Sequence, residues 1–195
     1  MNKNENILEL NELYAYVKNK PIYYKEGLLK DKIVKTIPMD EDWKERCRQN
    51  SWWFHDYEEL SEKYKTEQMQ KIYELKERLL SFAGESTNFC FGVPYVLQLL
   101  ERGQLWYGDN LVHVNGQPRQ AHVNSAIFWN KNRNKYRIAT GYALTVDSMW
   151  REHSWLLQQE KNNTKVVETT PIDRVLYFGY VLTEKECYEF YNTNI

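Results

Sequence analysis

Cysteine is scarce in this sequence: three residues in 195, Cys47, Cys90 and Cys187. An odd, widely spaced set offers neither a disulfide framework nor the paired spacing of a zinc site, and it fits a reducing compartment. Net charge is lacking too. The 26 Lys and Arg against 27 Asp and Glu leave −1, so no general field favours nucleic acid or an anionic membrane face. No apolar run reaches the roughly 20 residues that span a bilayer. The amino terminus, MNKNENILELNELY, has neither the basic start nor the apolar stretch of a signal peptide. No tract repeats, and none is of low complexity. These absences predict a cytoplasmic protein with no membrane or nucleic-acid partner, no metal and no cofactor. The 7 Trp and 15 Tyr invite base stacking, but no basic residues interleave them in a groove-like pattern.

What is present is the composition of a folded domain, 42% hydrophobic and 27% charged, which places the chain outside the disordered class. Its length suffices for one core with a helical extension. Ile7, Leu10, Leu13, Tyr14 and Val17 recur at helical spacing, and Pro21 ends that helix. Residues 22–38 form a loop or short-strand region. Asp40 can cap a second helix through Trp43 and Cys47, which Asn50 breaks. From Asp56 to Phe82 a charged segment carries the stripe Tyr57, Leu60, Tyr64, Met69, Ile72, Leu75 and Leu79, so its charges form a solvated helix face. The loop GESTN, 84–88, separates a mainly helical region, 1–83, from an α+β region, 84–195, the two packing as one compact unit. A helix from Phe91 or Pro94 to Arg102 ends at Gly103. A turn-rich or hairpin segment follows. Strands are predicted at 136–145, 151–159, 164–170 and 174–182, and Thr183 with Glu186 makes a capping box for a final helix.

The stretch IATGYALTVDSMWREHSW, 138–155, reads as a strand, a turn at 145–148 and a second strand. Alternation places Arg151, His153 and Trp155 on one face, with Glu152 and Ser154 on the other. A histidine on a rigid strand among aromatics is where a catalytic imidazole is held. Glu168, inside the short β run KVVETT, is a carboxylate entering a sheet, and such a group needs a partner. That partner is either His153 or an arginine such as Arg151 or Arg174. Counting from a turn near Asn162 and Asn163 sets Trp155 or its neighbours more directly opposite Glu168 or Thr170, so a His153–Glu168 contact calls for a bulge or a longer loop. Residues 121–131 fit both a strand and a helix by periodicity. Pro118 and Gln120 favour a helix starting at Ala121, whose unpaired N–H groups would lower the pKa of a thiol there and would bind an oxyanion.

These residues resemble a known family. HSW, VVETT and RVLYFGY look like the histidine, acid and closing strand of papain-like and transglutaminase-like thiol proteins. More closely, QAHVNSAIFW, ATGYALTVDSMWREHSW and VETT resemble three motifs of a set of small, largely uncharacterised bacterial proteins: C-H-x-N-S/T-A-x-L-W, TGYALS-x-DG-x-WRQHSW and IETT. The resemblance covers roughly residues 95–182. It implies an α+β fold in which a helical N-terminal half packs on a papain-like or transglutaminase-like core of one helix against an antiparallel sheet. The cysteine of the pattern falls on Ala121, while His122, Asn124, Ser125, Ala126 and Trp129 match the rest. For an intact relative it implies a cysteine at 121 that exchanges its proton with His153, with Glu168 orienting the imidazole. Gln120, His122, Asn124, Arg151 and Trp155 would bind a peptide, protein or small amide or acyl substrate. Alanine has no nucleophile, so the chain is either an inactivated variant of a thiol enzyme or a binding protein that keeps the pocket. Cys90, just ahead of a helix in NFCFGVP, is the rival thiol, although between two phenylalanines it also suits a small buried hydrophobe.

Overall fold

A computed structural model of the chain describes residues 25–29, 32–49, 67–88, 95–160, 163–172 and 174–195. The expected helix at 7–17, the helical stripe from 56 to 66 and Cys90 lie outside the described residues.

Nine strands and five α-helices alternate irregularly among the described residues, an α+β arrangement with a curled, mostly antiparallel sheet. Strands β1 (Lys25–Leu29) and β2 (Lys32–Thr36) form a separate antiparallel pair within the expected loop or short-strand region. Helix α1 (Glu41–Gln49) starts where Asp40 predicts, with its carboxylate accepting from Trp43 N at 2.8 Å. Helix α2 is Glu67–Phe82 and α3 is Val96–Arg102. The large sheet runs in the order β4 (Gln104–Tyr107), β9 (Arg174–Val181), β6 (Tyr136–Thr145), β7 (Met149–Glu160), β8 (Asn163–Glu168), β5 (Val112–His113). Helix α4 is Ala121–Lys131, and α5, Glu184–Asn194, opens with the reciprocal Thr183–Glu186 capping box.

Two segments differ from expectation. GESTN is not all loop: Ser86–Asn88 forms β3, parallel to Met149–Arg151 of β7. Residues 104–113 do not fold into a hairpin, because β4 pairs with β9 and β5 runs parallel to β8. Both are non-local pairings of strands too short to carry a periodic signal.

Period-2 alternation gives the sheet two unlike faces. Ile138, Tyr142 and Leu144 of β6, Trp150 and Leu156 of β7, and Leu176, Phe178 and Tyr180 of β9 pack with Leu75, Leu79, Leu99 and Trp129 of the helices. The same cluster therefore joins α2, before residue 84, to the sheet after it. The opposite face gathers Ala139, Ala143, Trp155, Leu157, Val166 and Tyr177. On that face β6 carries small residues, and the aromatic rings of its neighbours lie across it. Trp155 reaches far enough that a Cβ on Gly179 would meet its Cη2 at 2.5 Å and Thr140 O at 2.4 Å.

The β6–β7 turn is anchored from the N-terminal side. Ile37 N donates to Val146 O at 2.7 Å, Ser148 Oγ to Ile37 O at 2.7 Å, and Trp43 Nε1 to Asp147 at 3.1 Å. Ser148 takes the left-handed backbone (φ 66) that a short polar residue tolerates in such a turn.

Candidate functional site

On the face away from the helices, His153 Nε2 lies 2.9 Å from Glu168 Oε2 and 3.1 Å from Oε1. The ladder ends at Leu156 opposite Val167, so Trp155 faces Glu168 and His153 is its diagonal neighbour. A diagonal pair is within reach of a long side chain. No bulge between β7 and β8 is needed. Arg151 is committed elsewhere, in a two-pronged ion pair with Asp147 at 2.6 and 2.8 Å.

The carboxylate is held by donors on every side. Oε1 accepts from Thr169 N, Thr170 N and Thr170 Oγ1, each at 2.8 Å, and Oε2 accepts from Tyr177 Oη at 2.8 Å. Tyr177 sits on β9, two strands beyond β7, and reaches Glu168 across the small residues of β6. Glu168 is 0% exposed and His153 2%. Burial by itself would raise the Glu168 pKa, but His153, Arg174 and the Thr170 hydroxyl outweigh it and hold the carboxyl well below its ordinary range. Burial pushes the His153 imidazole below its usual value, against the pull of Glu168. A neutral imidazole facing an ionised carboxylate must carry its proton on Nε2, which leaves Nδ1 as the basic nitrogen.

His153 and Glu168 are thus brought together, and the other expected residues divide among three places. Trp155 stacks beside His153 at 6.2 Å and meets Tyr177 at 5.0 Å and Trp106 edge-on at 5.5 Å. Its Nε1 is buried without a hydrogen-bond partner among the described residues. Ala121 is the first residue of α4, 9% exposed. Gln120 precedes it as an exposed cap residue that makes no side-chain capping bond. Asn124 is structural: it bonds Gln117 N and O at 3.0 and 2.6 Å and Thr169 O at 2.9 Å. With Ser125 Oγ 3.5 Å from Thr169 Oγ1, it moors the first turn of α4 one residue past Glu168.

His122 points to the helix side of the sheet. Its Nδ1 lies 2.6 Å from Ser154 Oγ, which donates onward to Thr140 Oγ1 at 2.8 Å, and its Nε2 lies 3.7 Å from Glu152. Desolvation first, then the proximity of His153, pushes its pKa down to about 4. Helix α4 therefore packs on one face of the sheet while His153 and Glu168 occupy the other. Between these faces the outer edge of β7 is split: Met149–Arg151 pair with β3 and Leu156–Glu160 with β8. Glu152 to Ser154 have no partner strand on that edge among the described residues. The last described residue ahead of Cys90, Asn88, lies opposite Arg151 at the start of this split.

Comparison with protein-family models, curated proteins and solved structures finds no match for this chain. Among the described residues no group of three or more His, Cys, Asp or Glu is placed to hold a metal ion, and no helix is long and apolar enough to cross a membrane.

Three residues of the site escaped sequence reasoning. Tyr177 looked like one more aromatic of a closing strand, and only the alternation of RVLYFGY around the small residues of β6 hints at its direction. Thr169 and Thr170 did carry a signal. A carboxylate followed directly by two threonines can gather its own backbone and hydroxyl donors.

Proposed function

We propose that the chain is a thiol-dependent acyl-transfer or amide-hydrolysis scaffold, papain-like or transglutaminase-like in its arrangement, whose nucleophile position is Ala121. The observation that carries this is the His153–Glu168 pair: a buried imidazole oriented through Nε2 by a carboxylate that four further donors hold. A structural ion pair has no need of so rigid an acceptor, whereas a general base must keep one tautomer and one direction. The mooring of the α4 start to Thr169 supports position 121 as the nucleophile's place.

A cysteine there would meet His153 past the edge of β7 that Glu152 to Ser154 leave open among the described residues; His153 Nδ1 would take the thiol proton and the thiolate would attack an acyl carbonyl. The proton would pass to the leaving amine as the C–N bond breaks, and water or a second amine would resolve the thioester. As it stands, the chain can hold such a substrate but cannot cleave it.

The test is the pH dependence of thiol alkylation before and after Ala121→Cys. A new thiol that titrates below the ordinary value of about 8.5 and outpaces Cys47, Cys90 and Cys187 supports the proposal. A new thiol of ordinary reactivity favours a binding protein that uses the pocket for a peptide or small ligand. A reactive thiol already present before the substitution moves the nucleophile to Cys90, a reading favoured by the position of Asn88 beside Arg151.

A further inference from the structure

Among the described residues Arg174 is a buried guanidinium with no carboxylate at hydrogen-bond distance. The β6–β9 register shifts between Leu144, opposite Leu176, and Thr145, opposite Arg174. A shift of this kind breaks the alternation of a strand, and here it sets Arg174 opposite Thr145, three residues along β9 from Tyr177. The residue is 8% exposed. Its one hydrogen bond among the described residues runs from Nη1 to Ile172 O at 3.3 Å, and its buried Nε has no partner. Neither Nε nor Nη2 meets a carboxylate there, and these two form one edge of the guanidinium fork.

The chain treats comparable arginines differently. Arg151 grips Asp147 and Arg102 grips Glu186, each through two prongs. A buried guanidinium left with a single long bond to a carbonyl is the kind of group that a ligand satisfies. Arg174 also lines a pocket of about 410 Å³ together with Lys32, Tyr107 and Asp109. Lys32 is already neutralised there by Asp109 at 2.9 Å and lies over the Tyr107 ring. That leaves Arg174 as the charge in need of an anion. A planar fork matches a carboxylate in both shape and charge, and the pocket has room for a small acid. The Arg174 charge is felt by both members of the dyad, lowering the pKa of each.

We propose that Arg174 receives the carboxylate of a small acid bound in this pocket, a site separate from the one proposed at Ala121 and His153. Capture of the carboxylate does not depend on acyl transfer. The competing account is that Arg174 serves only as a distant counter-charge for Glu168, in which case added acids would find no site.

Calorimetry on the unaltered chain, with N-acetylglycine against the neutral N-acetylglycinamide, decides between them without any variant. The acid is expected to bind at least tenfold more tightly than the amide and to move the ring ¹⁵N titration of His153 upward, since it screens the arginine. Arg174→Gln should abolish the preference and Arg174→Lys should retain part of it. Equal binding of acid and amide overturns the proposal, as does tighter binding of inorganic phosphate than of the acid. A carboxylate preference accompanied by an ordinary thiol in Ala121→Cys keeps the acid site and discards acyl transfer. The reverse combination discards only the role of Arg174.

Discussion

Replacing Glu168 by glutamine keeps the shape of the site and changes only what its atoms can accept. The amide oxygen can stay where Oε1 meets Thr169 N, Thr170 N and Thr170 Oγ1. The amide nitrogen then falls where Oε2 met Tyr177 Oη and His153 Nε2. An NH₂ group accepts nothing. Tyr177 must turn its hydroxyl to accept, and His153 must present Nε2 as a bare lone pair and carry its proton on Nδ1. Losing the hydrogen bonds that a neutral imidazole and a tyrosine make to a buried carboxylate costs about 1.5 to 3 kcal/mol. For a chain of this length that is a melting temperature lower by about 3 to 12 °C. The depressed Glu168 pKa gives stability that is present above the unfolded carboxyl value, about 4.3, and lost as pH falls towards the folded one. The variant should therefore show a flatter acid limb in its stability profile. In Ala121→Cys, adding Glu168→Gln should return the thiol to about 8.5, because Nδ1 no longer accepts a proton. Ring ¹⁵N shifts of His153 read the tautomer directly. If Nε2 keeps its proton in the variant and the thiol titrates as before, the carboxylate does not govern the imidazole and the orienting role assigned to it fails.

Three further outcomes follow from the packing and the buried charges. Gly179→Val drives a branched side chain into Thr140 O and the Trp155 ring; it should cost about 1 to 3 kcal/mol by overpacking and disturb the near-UV signal of Trp155, and an unchanged signal would mean that the ring does not cross β6. Asp147→Asn strips the charge facing Arg151, so urea unfolding should show a loss of about 3 kcal/mol, and a neutral result would put the pair in solvent. His122 and His153 both have lowered pKa values, His122 to about 4, so the folded chain declines protons that the unfolded chain accepts near 6.5. Stability should be full above that value and fall as pH drops below it; equal urea midpoints at pH 7.5 and 5 would contradict the burial of His153 and the partial burial of His122.

Where structure is local, the sequence was readable. β6 occupies 136–145 as its β-branched and aromatic alternation predicts, and the Thr183–Glu186 box starts the last helix. Residues 121–131, ambiguous by periodicity, are helical. Alternation also put Arg151, His153 and Trp155 on a common face. What stayed hidden depends on which strands become neighbours. The parallel joints of β3 and β5 and the pairing of β4 with β9 leave no mark within a few residues of sequence. The same ignorance concealed Tyr177, whose hydroxyl matters only once β9 lies beside β6. It also concealed the division of the motif QAHVN, whose His122 and Asn124 look adjacent in sequence but serve the helix side of the sheet and the mooring of α4.

The hydrogen bond from Tyr177 to Glu168 has a consequence for the order in which the molecule can assemble. β6, β7 and β8 are consecutive and antiparallel, so their contacts close short loops and can form early. β9 must then cross from β8 to the far side of β6. Until it docks, Glu168 lacks one of its donors, and the β8 end of the sheet has no tie to the β9 end except through backbone ladders. The tyrosine hydroxyl fastens the first-made part of the sheet to the last-made part over two intervening strands. Acquisition of the His153 tautomer should consequently be a late event in refolding, synchronous with β9 docking, and a native imidazole signal would certify that the strand order is complete.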